Sequence, residues 1–113
     1  TVEMIINSAD NPLFVSAQTK RSPELWTPQE AVTMRQYAIA LMYLYENQYF
    51  QYQTGFTSEE RWLAARDTMK GFLSEESMMP MRKAWEMRSS NFSSTFAVVV
   101  NQVLAELDSE RNQ

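Results

Sequence analysis

The chain of 113 residues has the length of one domain, and its hydrophobic fraction of 44% is typical of a folded protein. It contains no cysteine and no histidine, which excludes disulfides, cysteine nucleophiles, serine–histidine–aspartate triads and the usual zinc sites. Its net charge of −4 and its scattered basic residues argue against nucleic acid as a partner. We therefore expect a protein that is not an enzyme and that holds no cofactor or metal.

The composition also indicates the fold class. Two glycines and four prolines leave few sites for tight turns, and the long segments are rich in good helix formers. We predict an all-α fold, a compact bundle of five to six helices with a long central helix, in a single domain over residues 1–113. Residues 108–113 are predicted to be a frayed polar tail. No apolar run approaches the length of a membrane span, so we expect the chain as given to be soluble.

The first elements in chain order are short. Residues 1–8 are apolar enough to form the end of a longer helix, and their exposed apolar side chains would favour self-association. Those side chains are Val2, Met4, Ile5 and Ile6. Asn11 as N-cap and Pro12 as first helical residue then predict a short helix to about Lys20.

The central helix has the clearest boundary signals in the sequence. Thr27 is a favourable N-cap, Pro28 suits the first helical position, and Glu30 three residues after the cap completes a capping box. We predict that this helix runs to about Gln53 and ends at Gly55, which can adopt the left-handed conformation of a helix C-terminus.

Three further helices are predicted after that turn, and they end near Leu73, Ser89 and Leu107. The first of them begins with a second capping box, Thr57 with Glu60. The next follows a short "SEES" linker, and Pro80 fits its first turn. The last begins near Ser93 or Ser94.

Glu46 stands out within the central helix. One face of that helix carries a broad core-facing stripe: Met34, Tyr37, Ala38, Leu41, Leu44, Tyr45, Tyr49 and Tyr52. On the opposite face, Glu46 lies in the middle of a row formed by Ile39, Tyr43 and Phe50. A helix that is apolar on two sides usually has neighbours on both, so we expect Glu46 to lie in a packed seam.

A carboxylate in such a seam needs a partner, since burying it alone costs several kcal/mol, roughly. Arg66 is the one charge in an apolar stripe of the next helix, which also carries Trp62, Met69 and Leu73. The two helices should be antiparallel neighbours, and a guanidinium can bind a carboxylate through two donors. We therefore predict a structural Glu46–Arg66 pair, with Arg82 and Arg88 as reserve partners. Glu46→Gln should then cost roughly 3 kcal/mol or more of stability.

Two other hypotheses remain open. In the first, the bundle binds a cationic or aromatic small ligand in a pocket at Glu46. Its predicted lining is Glu46, Asn47, Tyr43, Tyr49, Phe50, Trp62, Arg66 and Trp85. A closed, dry seam would favour the structural role, and an open pocket would favour binding. The second is a carboxylate-based metalloenzyme, which usually needs several inward glutamates and histidines, whereas one inward Glu and no histidine are present.

The order of the motifs resembles a bacterial family of uncharacterised small helical domains that follow an N-terminal membrane helix. The matching stretches are Asn11-Pro12, Thr27 to Glu30, "YENQYFQYQTG" from Tyr45, Glu59 to Trp62, Trp85, and "NFSSTFAVVV" from Asn91. The chain departs from the pattern at "SEESMMPMRKAWEM" and at Ser94-Thr95.

The resemblance implies that a membrane helix precedes Thr1 in the natural protein, and that the domain faces the cytoplasm at a bacterial inner membrane. It implies no activity. We therefore expect a non-enzymatic helical interaction or sensory domain, normally tethered to a membrane through a segment absent from this chain. Its partner is predicted to be another protein or a second copy of the chain.

Overall fold

The computed structural model describes residues 12–20, 23–75 and 79–111, and all regular secondary structure in these residues is helical. Five α-helices follow one another in the chain: α1 (Pro12–Gln18), α2 (Pro28–Gln53), α3 (Glu59–Ser74), α4 (Met79–Arg88) and α5 (Ser94–Arg111). Two single 3-10 turns, Pro23–Leu25 and Ser89–Asn91, precede α2 and α5. The prediction of an all-α bundle is thereby confirmed. Asn11 and residues 1–8 lie outside the described residues.

Helix α2 is the centre of the bundle. Its 26 residues contact α1, α3 and α4, and α5 packs on α3. Side chains from all five helices form one hydrophobic core: Ala17, Met34, Ala38, Leu41, Met42, Tyr45, Trp62, Met69, Leu73, Trp85, Phe96, Val99, Val100, Val103 and Leu107. The predicted stripes on α2 and α3 supply much of this core.

The boundaries of α2 follow from local chemistry, as predicted. The Thr27 side chain accepts a hydrogen bond from the Glu30 N–H, and the Glu30 carboxylate accepts one from the Thr27 N–H at 2.9 Å. At the other end Gly55 has a φ of +84°. The N–H groups of Gly55 and Phe56 donate to the carbonyls of Tyr52 and Gln51. This is the Schellman arrangement, in which the last carbonyls of a helix gain partners.

Two predicted boundaries are wrong. The cap of α3 is Ser58 rather than Thr57, and its hydroxyl accepts from the Arg61 N–H at 3.2 Å. A capping box with Glu60 is therefore not formed. Helix α5 continues to Arg111, so residues 108–111 are not a frayed tail. Two ion pairs hold this last turn, Arg82 to Asp108 at 3.4 Å and Lys70 to Glu110 at 2.7 Å.

Glu30 has a second role that the sequence did not reveal. Its side chain is only 2% exposed, and it forms an ion pair with Lys20 after the end of α1. The Lys20 ammonium, the Thr27 N–H and the Ser16 hydroxyl together lower the pKa of Glu30 to about 2, with Lys20 contributing most. The Trp26 indole N–H adds a bond to the Ala17 carbonyl at 2.9 Å. These contacts fix α1 against the start of α2.

Substitution of the two glycines should give opposite results. Gly55→Ala should lower the free energy of unfolding by about 1–2 kcal/mol, because alanine is strained at positive φ. Gly71→Ala should raise it by about 0.5–1 kcal/mol, because Gly71 lies inside α3 and an added Cβ meets nothing within 4 Å. Urea unfolding of both variants measures this difference. A change of the same sign in both would contradict the described turn.

The low pKa of Glu30 predicts a specific acid sensitivity. A group whose pKa is lower in the folded protein stabilises it above the ordinary pKa of the group, 4.5 for this glutamate, and loses that contribution as the pH falls toward about 2. Glu30→Gln should therefore be less stable than the parent at pH 7 and should show a shallower decline in stability between pH 5 and 2. Urea unfolding across this pH range checks it. The control is Glu86→Gln, which removes an exposed carboxylate and should keep the parent's slope.

Candidate functional site

Glu46 bonds to the start of helix α5. Its Oε2 accepts a hydrogen bond from the backbone N–H of Ser93 at 2.8 Å. The residues on either side of Glu46 point differently, because Tyr45 is buried in the core and Asn47 is exposed. Glu46 itself is partly exposed, so it lies at the edge of the bundle rather than in the closed seam that was predicted.

The Glu46–Ser93 bond completes a capping box from two helices. Ser93 is the N-cap of α5: its carbonyl accepts from the Ala97 N–H at 2.9 Å and its hydroxyl from the Phe96 N–H at 3.3 Å. In an ordinary capping box, an acid at the third helical position would accept a hydrogen bond from the N-cap N–H. Phe96 occupies that position and is fully buried. Glu46, 47 residues earlier in the chain, supplies the missing carboxylate.

An aromatic cluster places the start of α5 against α2. Its members are Tyr43, Tyr49, Tyr52, Trp62, Trp85, Phe92 and Phe96. Tyr43 stacks on Phe92 with ring centroids 4.6 Å apart, and Tyr49 lies 6.2 Å from Phe96. These two contacts come from the turns of α2 before and after Glu46. They bring Ser93 within reach of the carboxylate.

A cleft of about 440 Å³ opens beside Glu46. Helix α2 and the segment that enters α5 form its walls: Glu46, Asn47, Tyr49, Phe50, Gln53, Asn91, Ser93 and Thr95. Glu46 is the one acid among these described lining residues, and none of them is basic. Its Oε1 has no hydrogen-bond partner in the described part of the chain. The cleft therefore combines a fixed negative charge with neutral amides, hydroxyls and two aromatic rings.

The structure brings together half of the predicted site. Glu46, Asn47, Tyr49 and Phe50 line the cleft. The other predicted residues do not. Tyr43 stacks on Phe92, and the side chains of Trp62 and Trp85 are buried in the core. Arg66 binds Glu106 of α5. The Trp85 indole N–H donates to Asn101 at 3.2 Å. Three of the predicted aromatic side chains are thus packing residues.

The predicted Glu46–Arg66 pair is wrong. The Arg66 guanidinium binds Glu106 of α5, with Nη2 and Oε2 2.8 Å apart. Helix α3 packs against both α2 and α5, and Lys70, one turn after Arg66, also faces α5 and binds Glu110. That bond raises the pKa of Lys70 above its usual value.

Neither reserve partner replaces Arg66. Arg82 is paired with Asp108, and Arg88 is exposed at the end of α4. Glu46 needs neither of them, because its partner is a backbone N–H.

The sequence reasoning also missed four lining residues: Gln53, Asn91, Ser93 and Thr95. A signal for one of them was present. The sequence predicts that the last helix begins near Ser93 or Ser94. The residue three positions after Ser93 is Phe96, whose side chain cannot accept a hydrogen bond from the Ser93 N–H. An N-cap without an acid at the third helical position leaves its N–H to water or to an acceptor from elsewhere in the chain, and here that acceptor is Glu46.

The chain is an all-α bundle with a cleft at the start of its last helix. The chain matches no protein-family model, no curated protein and no solved structure. Among the described helices, none combines the length and the hydropathy that crossing a membrane requires. Within the same residues, no three acidic side chains are grouped so that they could hold a metal ion.

The capping geometry changes the expectation for Glu46 variants. Glu46→Ala removes the acceptor of the Ser93 N–H and should lower the free energy of unfolding by about 1 kcal/mol. Glu46→Gln keeps an acceptor oxygen and loses only the favourable charge at the helix N-terminus, so it should cost less than Glu46→Ala. Urea unfolding at neutral pH measures both. A loss near 3 kcal/mol for Glu46→Gln would instead indicate a buried ion pair.

Proposed function

We propose that this chain is a non-enzymatic helical interaction or sensory domain and that the cleft beside Glu46 is its binding surface. One observation carries the proposal: the cleft is open, and it presents an acid, one of whose oxygens bonds to no other described residue, next to Phe50, which is 58% exposed. Exposed large apolar side chains beside fixed polar groups are common features of interaction surfaces. An open pocket at Glu46 is also the arrangement that favours binding over a purely structural role.

The shape of the cleft favours a segment of a protein partner over an enclosed small molecule. Small-molecule sites typically bury most of the ligand surface, about 70–90%. This cleft is open to solvent, and its lining residues come from one face of α2 and from residues 91–95 around the start of α5. Side chains of a partner could enter it while the partner's backbone stays outside.

A small ligand is the second candidate. The volume of about 440 Å³ lies within the usual range of ligand pockets, roughly 300–1,000 Å³. The aromatic side chains expected to surround such a ligand are largely committed to packing, because Tyr43, Trp62 and Trp85 do not line the cleft. This second candidate therefore has fewer contacts to offer.

The proposed cellular setting rests on the sequence resemblance. The order of the "NP", Thr27–Glu30, Tyr45–Gly55 and Asn91 motifs supports a domain that is tethered to a bacterial inner membrane and faces the cytoplasm. In that setting the domain would meet its partner at the membrane surface. Self-association is the alternative in which the partner is a second copy.

The test selects partners and then blocks the cleft. Peptides are selected from a random displayed library on the immobilised chain, and their affinities are measured for the parent, Asn47→Trp and Gln36→Trp. Asn47 is exposed and lines the cleft, whereas Gln36 is exposed on α2 outside it. We expect Asn47→Trp to weaken binding by about tenfold or more, which corresponds to roughly 1.4 kcal/mol, and Gln36→Trp to leave it unchanged.

Either of two results would overturn the proposed binding surface: no selected peptide with measurable affinity for the parent, or equal affinity for the parent and Asn47→Trp. Sedimentation of the parent at increasing concentration separates the two kinds of protein partner. A dimer that Asn47→Trp dissociates would identify a second copy as the partner.

A further inference from the structure

We infer that the cleft recognises a chain segment with a basic side chain next to an apolar one. Glu46 is its anionic contact and Phe50 its apolar surface. This inference rests on the proposed function, because it specifies the chemistry of the partner at the same cleft. Four features of the described residues carry it.

The first feature is charge. Among the described residues that line the cleft, Glu46 is the one charged side chain, and the whole chain has a net charge of −4. No lysine or arginine of the lining competes for the carboxylate or neutralises it. The full negative charge of the carboxylate exceeds the partial positive charge at the start of α5, so the cleft keeps a net negative charge that attracts cations and repels acidic segments.

The second feature is the fixed position of the carboxylate. The Ser93 N–H holds Oε2 at 2.8 Å, and Tyr43 and Tyr49 are packed one turn before and after Glu46. Oε1 is left without a partner in the described chain. An acceptor that is already oriented loses little side-chain freedom on binding, and charge-assisted hydrogen bonds to it are about twice as strong as neutral ones.

The third feature is the exposed ring of Phe50. It lies one helical turn after Glu46, on the same face of α2. Tyr49 packs against Trp62 at 4.9 Å, whereas Phe50 makes no ring contact with another aromatic side chain of the described residues. A free ring about one turn from a carboxylate can cover the aliphatic stem of a lysine or arginine, or an apolar neighbour of that residue.

The fourth feature is a neutral polar rim. Asn47, Gln53, Asn91 and Thr95 present amides and a hydroxyl around the cleft, and all four are exposed. Such groups can both donate to and accept from a peptide backbone. The rim therefore suits a backbone that crosses the cleft while one basic side chain reaches Glu46.

The experiment uses a defined probe and its neutral isostere. The probe is the acetylated, amidated peptide ALRFA, and the isostere has citrulline in place of arginine, which keeps the shape and removes the charge. Both are titrated into the ¹⁵N-labelled chain at low salt, and amide shifts are recorded. We expect saturable shifts confined to residues 46–53 and 91–95, and about tenfold weaker binding for the citrulline peptide.

Variants of the chain test the two named contacts. Glu46→Gln keeps an oxygen for the Ser93 N–H and should weaken the arginine peptide about tenfold while leaving the citrulline peptide unchanged. Phe50→Ala should weaken both peptides. Asp67→Asn removes an exposed acid from α3 outside the cleft and is the charge control, so its affinity should equal that of the parent. Raising the salt from about 20 mM to about 300 mM should weaken the arginine peptide only.

The possible failures are distinguishable. Equal affinity for the arginine and citrulline peptides, or an unchanged affinity of Glu46→Gln for the arginine peptide, would overturn the basic-segment inference. The proposed binding surface would still be supported if Asn47→Trp weakened the binding of the library-selected peptides. Shifts centred on the acids of α5, Glu106 and Glu110, would also overturn it, because they would show unspecific attraction of a cation. No shift in residues 46–53 and 91–95 would overturn the basic-segment inference, and the absence of any selected peptide would overturn the proposed binding surface as well.

Discussion

The first N–H groups of a helix take acceptors from side chains or water, and for the N-cap N–H of α5 the acceptor is a carboxylate from α2. The position that would normally hold the capping acid is occupied by Phe96, whose ring is needed in the core. Glu46 resolves this conflict from another helix through its bond to the Ser93 N–H. This hydrogen bond and the aromatic contacts of Tyr43 and Tyr49 together hold the start of α5 against α2, beside the cleft.

Local chemistry made much of the fold predictable. Thr27 with Glu30 and the left-handed Gly55 determine the ends of α2, since each satisfies backbone groups within a few residues. The same logic failed at α3, where Thr57 and Ser58 are equally suitable caps in sequence and only the structure distinguishes them. The end predicted for α5 was also too early, because the ion pairs that hold its last turn come from Lys70 and Arg82 on other helices.

The site was harder to predict than the fold. The helical wheel placed Glu46 in one row with Phe50, and both line the cleft, but it assigned Tyr49 to the core-facing stripe, although Tyr49 also lines the cleft. A wheel could not show that the partner of Glu46 is a backbone N–H, because nearly every residue carries the same backbone donor whatever its side chain. A wheel also gives the face of a helix but not which neighbour that face meets. Arg66 accordingly faces Glu106 on α5 rather than Glu46 on α2.

Glu46 connects structure and proposed recognition in one side chain. One oxygen holds the start of α5, and the other is available to a partner. A ligand at Glu46 would therefore bind at the contact between α2 and α5. A change in the Glu46–Ser93 hydrogen bond would then change the stability of the first turn of α5. The backbone hydrogen bond explains how the Glu46 carboxylate can lie beside aromatic rings without a basic side chain as its partner.

The most direct test of this account is the rate of amide hydrogen exchange at Ser93, compared between the parent, Glu46→Gln, Glu46→Ala and Arg66→Met. We expect slow exchange in the parent, Glu46→Gln and Arg66→Met, and much faster exchange in Glu46→Ala, because only that variant removes the acceptor. Equal exchange in all four proteins, or a loss of protection in Arg66→Met instead, would contradict the claim that Glu46 caps α5.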